Sequence, residues 1–327
     1  MTDEAWTWHG GAIAAAKRRF DAGKRPWLDL STGINPNPWP GVASVDIDWH
    51  RLPEQEALAE LEAAAAAFFG VDPRHVCAVP GTEVGLRLAG TLIGGHAHHV
   101  APGYRTHGEM FGAGNAIDAS EAPSTEATLI LANPNNPDGR ITGRDRLADL
   151  LASRDDEQWL LVDEAFADCD PSASIAAWVG EAARLLVFRS FGKFFGLAGL
   201  RLGFVLGPQA FLVRLREQLG AWPVSAAAIA IGTAAYRDAS WAASARARLR
   251  ADADALDRVL RRRGYLPRGD CPLFRLIETS TARDLFDRLA HAAILTRPFA
   301  DRPYWLRFGL PGDDAALARL DAALADG

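Results

Sequence analysis

Short apolar runs that each break off into a polar loop constrain this chain most. Val76–Val79, Leu129–Ala132, Trp159–Val162, Leu185–Phe188 and Leu202–Leu206 show almost no alternation of polar and apolar residues. A strand with one wet face alternates, whereas a strand covered on both faces reads as continuously apolar. Between these runs lie amphipathic stretches at Glu54–Phe69, Val84–Leu92 and Arg144–Ser153, the first opened by Pro53 and closed by Gly70. The alternation predicts an α/β fold with a largely parallel sheet covered by helices. Such sheets hold their ligands beyond the C-terminal strand ends. Those ends are marked here by Pro80-Gly81-Thr82-Glu83, by the Asn133–Gly139 loop, by Asp163-Glu164-Ala165-Phe166 and by the stretch from Arg189 to Lys193. The loop Pro102-Gly103-Tyr104 follows another strand, ending at His99–Val100.

At 327 residues the chain exceeds what one core usually serves. From Pro208 the pattern changes. Helices are predicted at Phe211–Leu219, Ala226–Tyr236, 241–263, Ala282–His291 and Asp313–Ala325, and short strands at Leu273–Ile277, Ile294–Thr296 and Tyr304–Phe308. The expected division is an N-terminal segment over 1–42, a large domain over 43–220 and a smaller α+β domain over 221–327. The segment holds His9-Gly10-Gly11, a short helix at Ile13–Phe20, an extended piece at Trp27–Leu30 and the turn-rich Ser31–Pro38. Such a segment builds no core of its own and is expected to pack at the active site. Gly10, Gly11 and Gly33 are either plain turn residues or points where backbone approaches a ligand closely.

A net charge of −6 and the lack of a basic stripe with interleaved aromatics argue against a nucleic-acid partner. Arg261-Arg262-Arg263 ends a helix, where cations suit the dipole. No apolar run approaches the roughly 18 residues of a membrane span, and no secretory leader is apparent in the opening residues. Cys77, Cys169 and Cys271 are far apart, which excludes a disulfide framework and fits a reducing cytoplasm. His96, His98 and His99 have no cysteine or carboxylate companion, so no metal site is expected.

Arg189 to Gly203 carries the chemistry. Lys193 sits among small and aromatic residues after an apolar run, flanked by Ser190 and Arg201. A lysine relieved of its charge forms a Schiff base with an aldehyde, and Ser190 and Arg201 suit a phosphate. A lysine nucleophile beside a phosphate cradle is what pyridoxal 5'-phosphate requires. Gly81 and Thr82 add a second anion site, at a strand–turn–helix junction with free backbone N–H groups.

Taken together and in this order, the motifs from about Trp49 to the end resemble the fold-type I pyridoxal-phosphate enzymes, the class I and II aminotransferase superfamily. The resemblance implies that Lys193 binds the cofactor covalently. It also implies that Asp163 pairs with the pyridine nitrogen, Asn136 with the phenolic oxygen, and Tyr104 with the ring face. Gly81, Thr82, Ser190 and Arg201 would hold the phosphate. Arg307, in Trp305-Leu306-Arg307-Phe308-Gly309, would take a substrate carboxylate. Taken singly, Asp163 also suits a turn cap, Tyr104 a core position and Arg307 an exposed strand. A homodimer is implied too. Two positions depart from the pattern: Phe166 and Leu52 stand where many relatives have tyrosines near the cofactor.

His9-Gly10-Gly11, Asp29–Pro36 and the Arg-Phe-Gly-Leu-Pro run narrow the resemblance to L-threonine-O-3-phosphate decarboxylases of cobalamin biosynthesis. The substrate would be a small phosphorylated amino acid. Arg297 would bind its phosphate, helped by His9 and Asn35; an edge-strand surface arginine is the other reading of Arg297. Decarboxylation requires the Cα–carboxylate bond to stand perpendicular to the cofactor ring, with Lys193 as the nearest proton donor. The rival is an aminotransferase acting on a phosphorylated substrate such as histidinol phosphate, and the His-Gly-Gly opening and missing tyrosines favour the decarboxylase. A cofactor-binding regulator on the same fold would carry an added DNA-binding region, for which this acidic chain leaves no spare domain.

Overall fold

The computed structural model describes residues 5–121, 123–154 and 157–325. Its strands are β1 (Leu28–Asp29), β2 (Val76–Val79), β3 (His96–Ala101), β4 (Ala113–Asp118), β5 (Thr128–Ala132), β6 (Leu160–Asp163), β7 (Leu185–Ser190), β8 (Gly203–Leu206), β9 (Phe274–Glu278), β10 (Ile294–Leu295), β11 (Arg297–Pro298) and β12 (Trp305–Gly309). Its α-helices are α1 (Ala5–Trp8), α2 (Ile13–Arg19), α3 (Gln55–Phe69), α4 (Thr82–Ile93), α5 (Arg105–Glu109), α6 (Arg144–Ala152), α7 (Phe191–Phe194), α8 (Gln209–Leu219), α9 (Ala226–Arg237), α10 (Ala239–Arg262), α11 (Ala282–His291) and α12 (Asp314–Ala325).

The chain divides into two compact units. The larger comprises Pro38–Asn136 and Ile141–Ala243; the smaller comprises the described residues through Asn37, Pro137–Arg140, and those from Ser244 on. By contacts, α9 groups with the larger unit, and the chain leaves that unit after Ala243, whereas the expected division falls after 220. Aromatic packing explains the shift. Tyr236 of α9 lies 5.0 Å from Phe68 and 5.4 Å from Phe191, ring centre to ring centre, which fastens α9 to the larger unit. At 0.5–1.5 kcal/mol per aromatic pair beyond area burial, such a cluster outweighs any linker preference.

In the larger unit the sheet runs β2-β8-β7-β6-β5-β3-β4. Every neighbouring pair from β7 through β4 is parallel, and β8 alone opposes both of its neighbours. Burial alternates by face along these strands. Cys77, Val79, Ile130, Leu161, Leu186, Phe188 and Val205 pack with Leu86 and Ala89 of α4 and with Phe211, Leu212 and Leu215 of α8. The intervening Leu129, Leu131, Leu160, Val162, Val187 and Phe204 are buried as well. Two covered faces are the physical cause of the continuous apolar runs. α3 ends where Gly70 turns left-handed at φ 73°.

In the smaller unit β11-β12-β9 form an antiparallel sheet, and β1 pairs with β10. Trp6, Phe20 and Leu30 are buried, and Trp6 packs 5.5 Å from Phe20 and 5.8 Å from Phe286. The N-terminal segment thus builds no core by itself but packs into this unit's core. No helix among the described residues is long and apolar enough to cross a membrane.

Candidate active site

All eight expected cofactor contacts lie in the larger unit, on loops and helix starts at one edge of its sheet. Gly81 follows β2, Tyr104 follows β3, Asn136 follows β5, Asp163 ends β6, and Ser190 ends β7 with Lys193 three residues on. Arg201 precedes β8; because β8 is reversed, its beginning shares their edge. Val79 and Ser190 are both register partners of Gly203, which brings the turn after β2 beside Ser190.

The turn offers a cation and free amides to an anion. Gly81 adopts φ +88°, and a Cβ there would come 2.6 Å from Nη2 of Arg201. A side chain at 81 would push the mobile Arg201 guanidinium aside, and the positive φ is what favours glycine. Arg201 itself is left-handed at φ 55°. Thr82 begins α4, whose first amides lack intrahelical acceptors.

Asp163 is 6% exposed. Its Oδ1 accepts from the Ala165 amide at 3.1 Å, and its Oδ2 lies 3.0 Å from Nε2 of buried His107. An ionised carboxylate only accepts, so Nε2 carries the proton in that contact. His107 was not read from the sequence. It occupies α5, a short turn of helix with no periodic signal, and only the sheet order brings it to Asp163. The loop holding Asn136 is pinned on both sides: Asn133 Nδ2 donates to the carbonyls of Thr142 and Ala173, and Asn135 Nδ2 to that of Pro102. Lys193 is half-buried on α7 between buried Gly192 and Phe194.

Tyr104 is half-buried, and its hydroxyl donates to Glu83 Oε2 at 2.9 Å. Burial and the Glu83 charge push the phenol up to about 12. Behind the site, Arg189 joins Glu164 and Asp168 in a buried ionic cluster. Phe166 is buried, whereas Leu52 is 62% exposed.

The four expected substrate contacts lie in the smaller unit. Arg307 is 2% exposed; its Nη2 donates to the Ser31 carbonyl at 2.9 Å and its guanidinium carbon lies 4.9 Å from the Phe274 ring centre. This replaces the exposed-strand reading. Burial and the charge of Arg297 push Arg307 down to about 9. Arg297, half-buried over Phe299, is the register partner of Arg307. Asn35 is buried and accepts from the Asn37 amide through Oδ1, and His9 is exposed on the bend between α1 and α2. Gly10 packs on Ser31 and Thr32, where a Cβ would collide with the Ser31 carbonyl. Its smallness is used by the chain's own backbone.

The donor set in the larger unit fits pyridoxal phosphate. Cation, hydroxyl and helix amides cluster at the turn, a buried carboxylate offers a partner for a protonated ring nitrogen, and a lysine stands on the same edge. The family model for aminotransferase class I and II matches residues 107–324. A threonine-phosphate decarboxylase from Pseudomonas aeruginosa is 42% identical over 97% of this chain and 96% of its own. One from a Sinorhizobium species is 39% identical over 97% of each. The fold resembles that of histidinol-phosphate aminotransferase from Sinorhizobium meliloti, solved in complex with pyridoxal-5'-phosphate. The TM-score is 0.80 with 21% identity, over 95% of this chain and 93% of the other. Sequence, fold and donor set agree that the chain belongs to the class I and II aminotransferase family and, within it, to the threonine-phosphate decarboxylases.

Proposed function

We propose that this protein decarboxylates L-threonine O-3-phosphate to (R)-1-amino-2-propanol O-2-phosphate, with pyridoxal 5'-phosphate as cofactor, in cobalamin biosynthesis. The near-full-length relationship at 42% identity carries the choice of reaction. The paired arginines of β11 and β12 support the choice of substrate, because a phosphorylated amino acid offers two anionic groups to two adjacent cations.

The bound cofactor supplies the covalent carbonyl and the electron sink for the pair left at Cα. The chain's residues do the rest. Gly81, Thr82, Ser190 and Arg201 hold the phosphate. Asp163, fixed by His107, keeps a proton on the pyridine nitrogen. Asn136 donates to the phenolic oxygen, and Tyr104 covers the ring. Arg307 binds the substrate carboxylate and Arg297 its phosphate, with His9 and Asn35 beside it. These contacts would orient the Cα–carboxylate bond, and the Lys193 amine would return a proton to Cα.

We place the enzyme in the cytoplasm as a homodimer. Three buried free cysteines support a reducing compartment. Trp49, Leu52 and Trp222, exposed by 73%, 62% and 52%, support a partner surface on the larger unit.

The test incubates holoenzyme with L-threonine O-3-phosphate and follows carbon dioxide, with histidinol phosphate plus 2-oxoglutarate as the parallel arm. Carbon dioxide release that is lost in Lys193→Ala is the expected result. Glutamate formation without carbon dioxide would replace the proposal with an aminotransferase.

A further inference from the structure

Glu83 is the second residue of α4, directly after the phosphate turn. A carboxylate is an unfavourable neighbour for a bound phosphate, so its presence there asks for a use. Its Oε2 accepts from Tyr104 Oη at 2.9 Å and from Thr106 Oγ1 at 2.7 Å. Its Oε1 accepts from Arg87 Nε at 2.6 Å, and Arg87 Nη2 reaches Glu109 Oε2 at 3.0 Å. One carboxylate therefore ties the start of α4 to the loop after β3. Covering a cofactor ring uses only the face of Tyr104, for which phenylalanine would serve. The hydroxyl is committed to Glu83, and the ring makes a T-shaped contact with His107 at 5.7 Å and 84°.

We infer that Glu83 is a positioning residue, which sets the Tyr104 ring relative to the Gly81–Thr82 turn so that one carboxylate registers the two ends of the cofactor. The inference rests on reading Tyr104 as the ring-covering residue and the turn as the phosphate site. Arg87 neutralises the carboxylate on the side away from Tyr104, which limits its repulsion of the phosphate.

The experiment measures cofactor dissociation from the holoenzyme by equilibrium dialysis, together with the visible circular dichroism of the bound cofactor. Variants are Glu83→Ala, Glu83→Gln, Tyr104→Phe, the Glu83→Ala/Tyr104→Phe double, and Tyr104→Ala. Glu83→Ala and Tyr104→Phe should each weaken retention about fivefold and reduce the dichroic band, the worth of one hydrogen bond. The double variant should be no worse than either single, because both remove the same contact. Glu83→Gln, whose amide oxygen still accepts from Tyr104, should recover most of the loss. Multiplicative losses in the double variant would overturn the inference, as would full retention in Glu83→Ala. Arg87→Met separates a helix-surface effect: if it reproduces the Glu83→Ala loss, the ion pair and not the ring is at work. Unchanged retention in Tyr104→Ala would remove the ring-covering reading itself, and with it the inference. That outcome differs from a Tyr104→Ala loss accompanied by an unaffected Glu83→Ala, which leaves the reading standing and sinks only the role of Glu83.

Discussion

Arg297 and Arg307 stand directly opposite each other across β11 and β12. Residues paired this way point to the same face of the sheet, and like charges there destabilise it. Arg307 is buried and pushed down to about 9, first by desolvation and then by Arg297. A dianionic ligand reverses both penalties. Arg307→Gln should therefore raise KM for the phosphorylated amino acid about 100-fold, the scale of a buried charge-assisted pair. The unliganded protein should melt no lower than wild type. Steady-state kinetics and thermal melts of the apoprotein check the pair of outcomes; a large loss of melting temperature would mean that Arg307 is structural.

His107 and Asp163 give a second expectation. With Nε2–H donating to Oδ2 at 3.0 Å, the imidazole fixes the rotamer of the carboxylate proposed to pair with the cofactor nitrogen. Residues that orient a functional group in this way are worth about 10- to 100-fold. His107→Ala should lose that much in kcat with little change in KM, and the absorbance maximum of the bound cofactor should move. An unchanged spectrum would show that Asp163 keeps its place without His107.

Gly81→Ala tests the phosphate turn. The backbone sits at φ +88° and the new methyl would press on Arg201 Nη2. Strain of this kind costs roughly 1–3 kcal/mol, and the displaced guanidinium should weaken cofactor retention as well. Chemical denaturation and dialysis report the two effects separately. Normal retention would place Arg201 outside the phosphate site.

The contrast between these residues shows what a linear reading reaches. The strand-end placement of Asp163, Ser190 and Lys193 was legible because buried strands announce themselves as apolar runs. Asn35 and Arg307 were proposed from motif alone, and no apolar pattern singles out either of them. His107 and Glu83 were not, because each acts on a residue that only the strand order brings near. β4 was missed because Gly114 and Asn115 break its apolar pattern and it is the sheet's edge. The reversal of β8 was invisible for another reason: burial on two faces looks the same in either direction.

The pH dependence of stability has a contribution from Glu83. Burial opposes its charge, but hydrogen bonds from Thr106, Arg87 and Tyr104 outweigh that and hold the carboxyl below the ordinary range. A folded value below the unfolded one means stability that is present above the unfolded value and lost as pH falls through the folded one. Glu83→Gln cannot titrate. Between about pH 5 and pH 3 its denaturation midpoint should fall less steeply than that of wild type. Parallel curves would show that the network adds nothing to acid stability.

The buried cluster around Arg189 gives the largest expected effect. Arg189 is 2% exposed. Its Nη1 donates to Glu164 Oε2 at 2.7 Å and to Ser174 Oγ at 2.9 Å, and its Nη2 donates to Asp168. Glu164 accepts further from Ser174 Oγ at 2.6 Å and the Ile175 amide at 2.7 Å. One cation thus faces two carboxylates with almost no water. Desolvation pushes Glu164 up, and Arg189 opposes the shift. Arg189→Met leaves both carboxylates buried without their cation and should cost about 3–5 kcal/mol. The sign of the pH response identifies the cause. With the cation gone, desolvation leaves Glu164 holding a proton in the folded protein that the unfolded chain releases, so the variant's deficit should shrink as pH falls from 8 to about 5. Adding Glu164→Gln to Arg189→Met should likewise recover part of the loss. Cofactor retention should fall with Arg189→Met, since Ser190 and Asp163 adjoin Arg189 and Glu164 in the chain. A deficit that does not change with pH would assign the loss to the packing of Arg189 over Phe69, whose ring centre lies 4.5 Å from the guanidinium carbon, and not to charge.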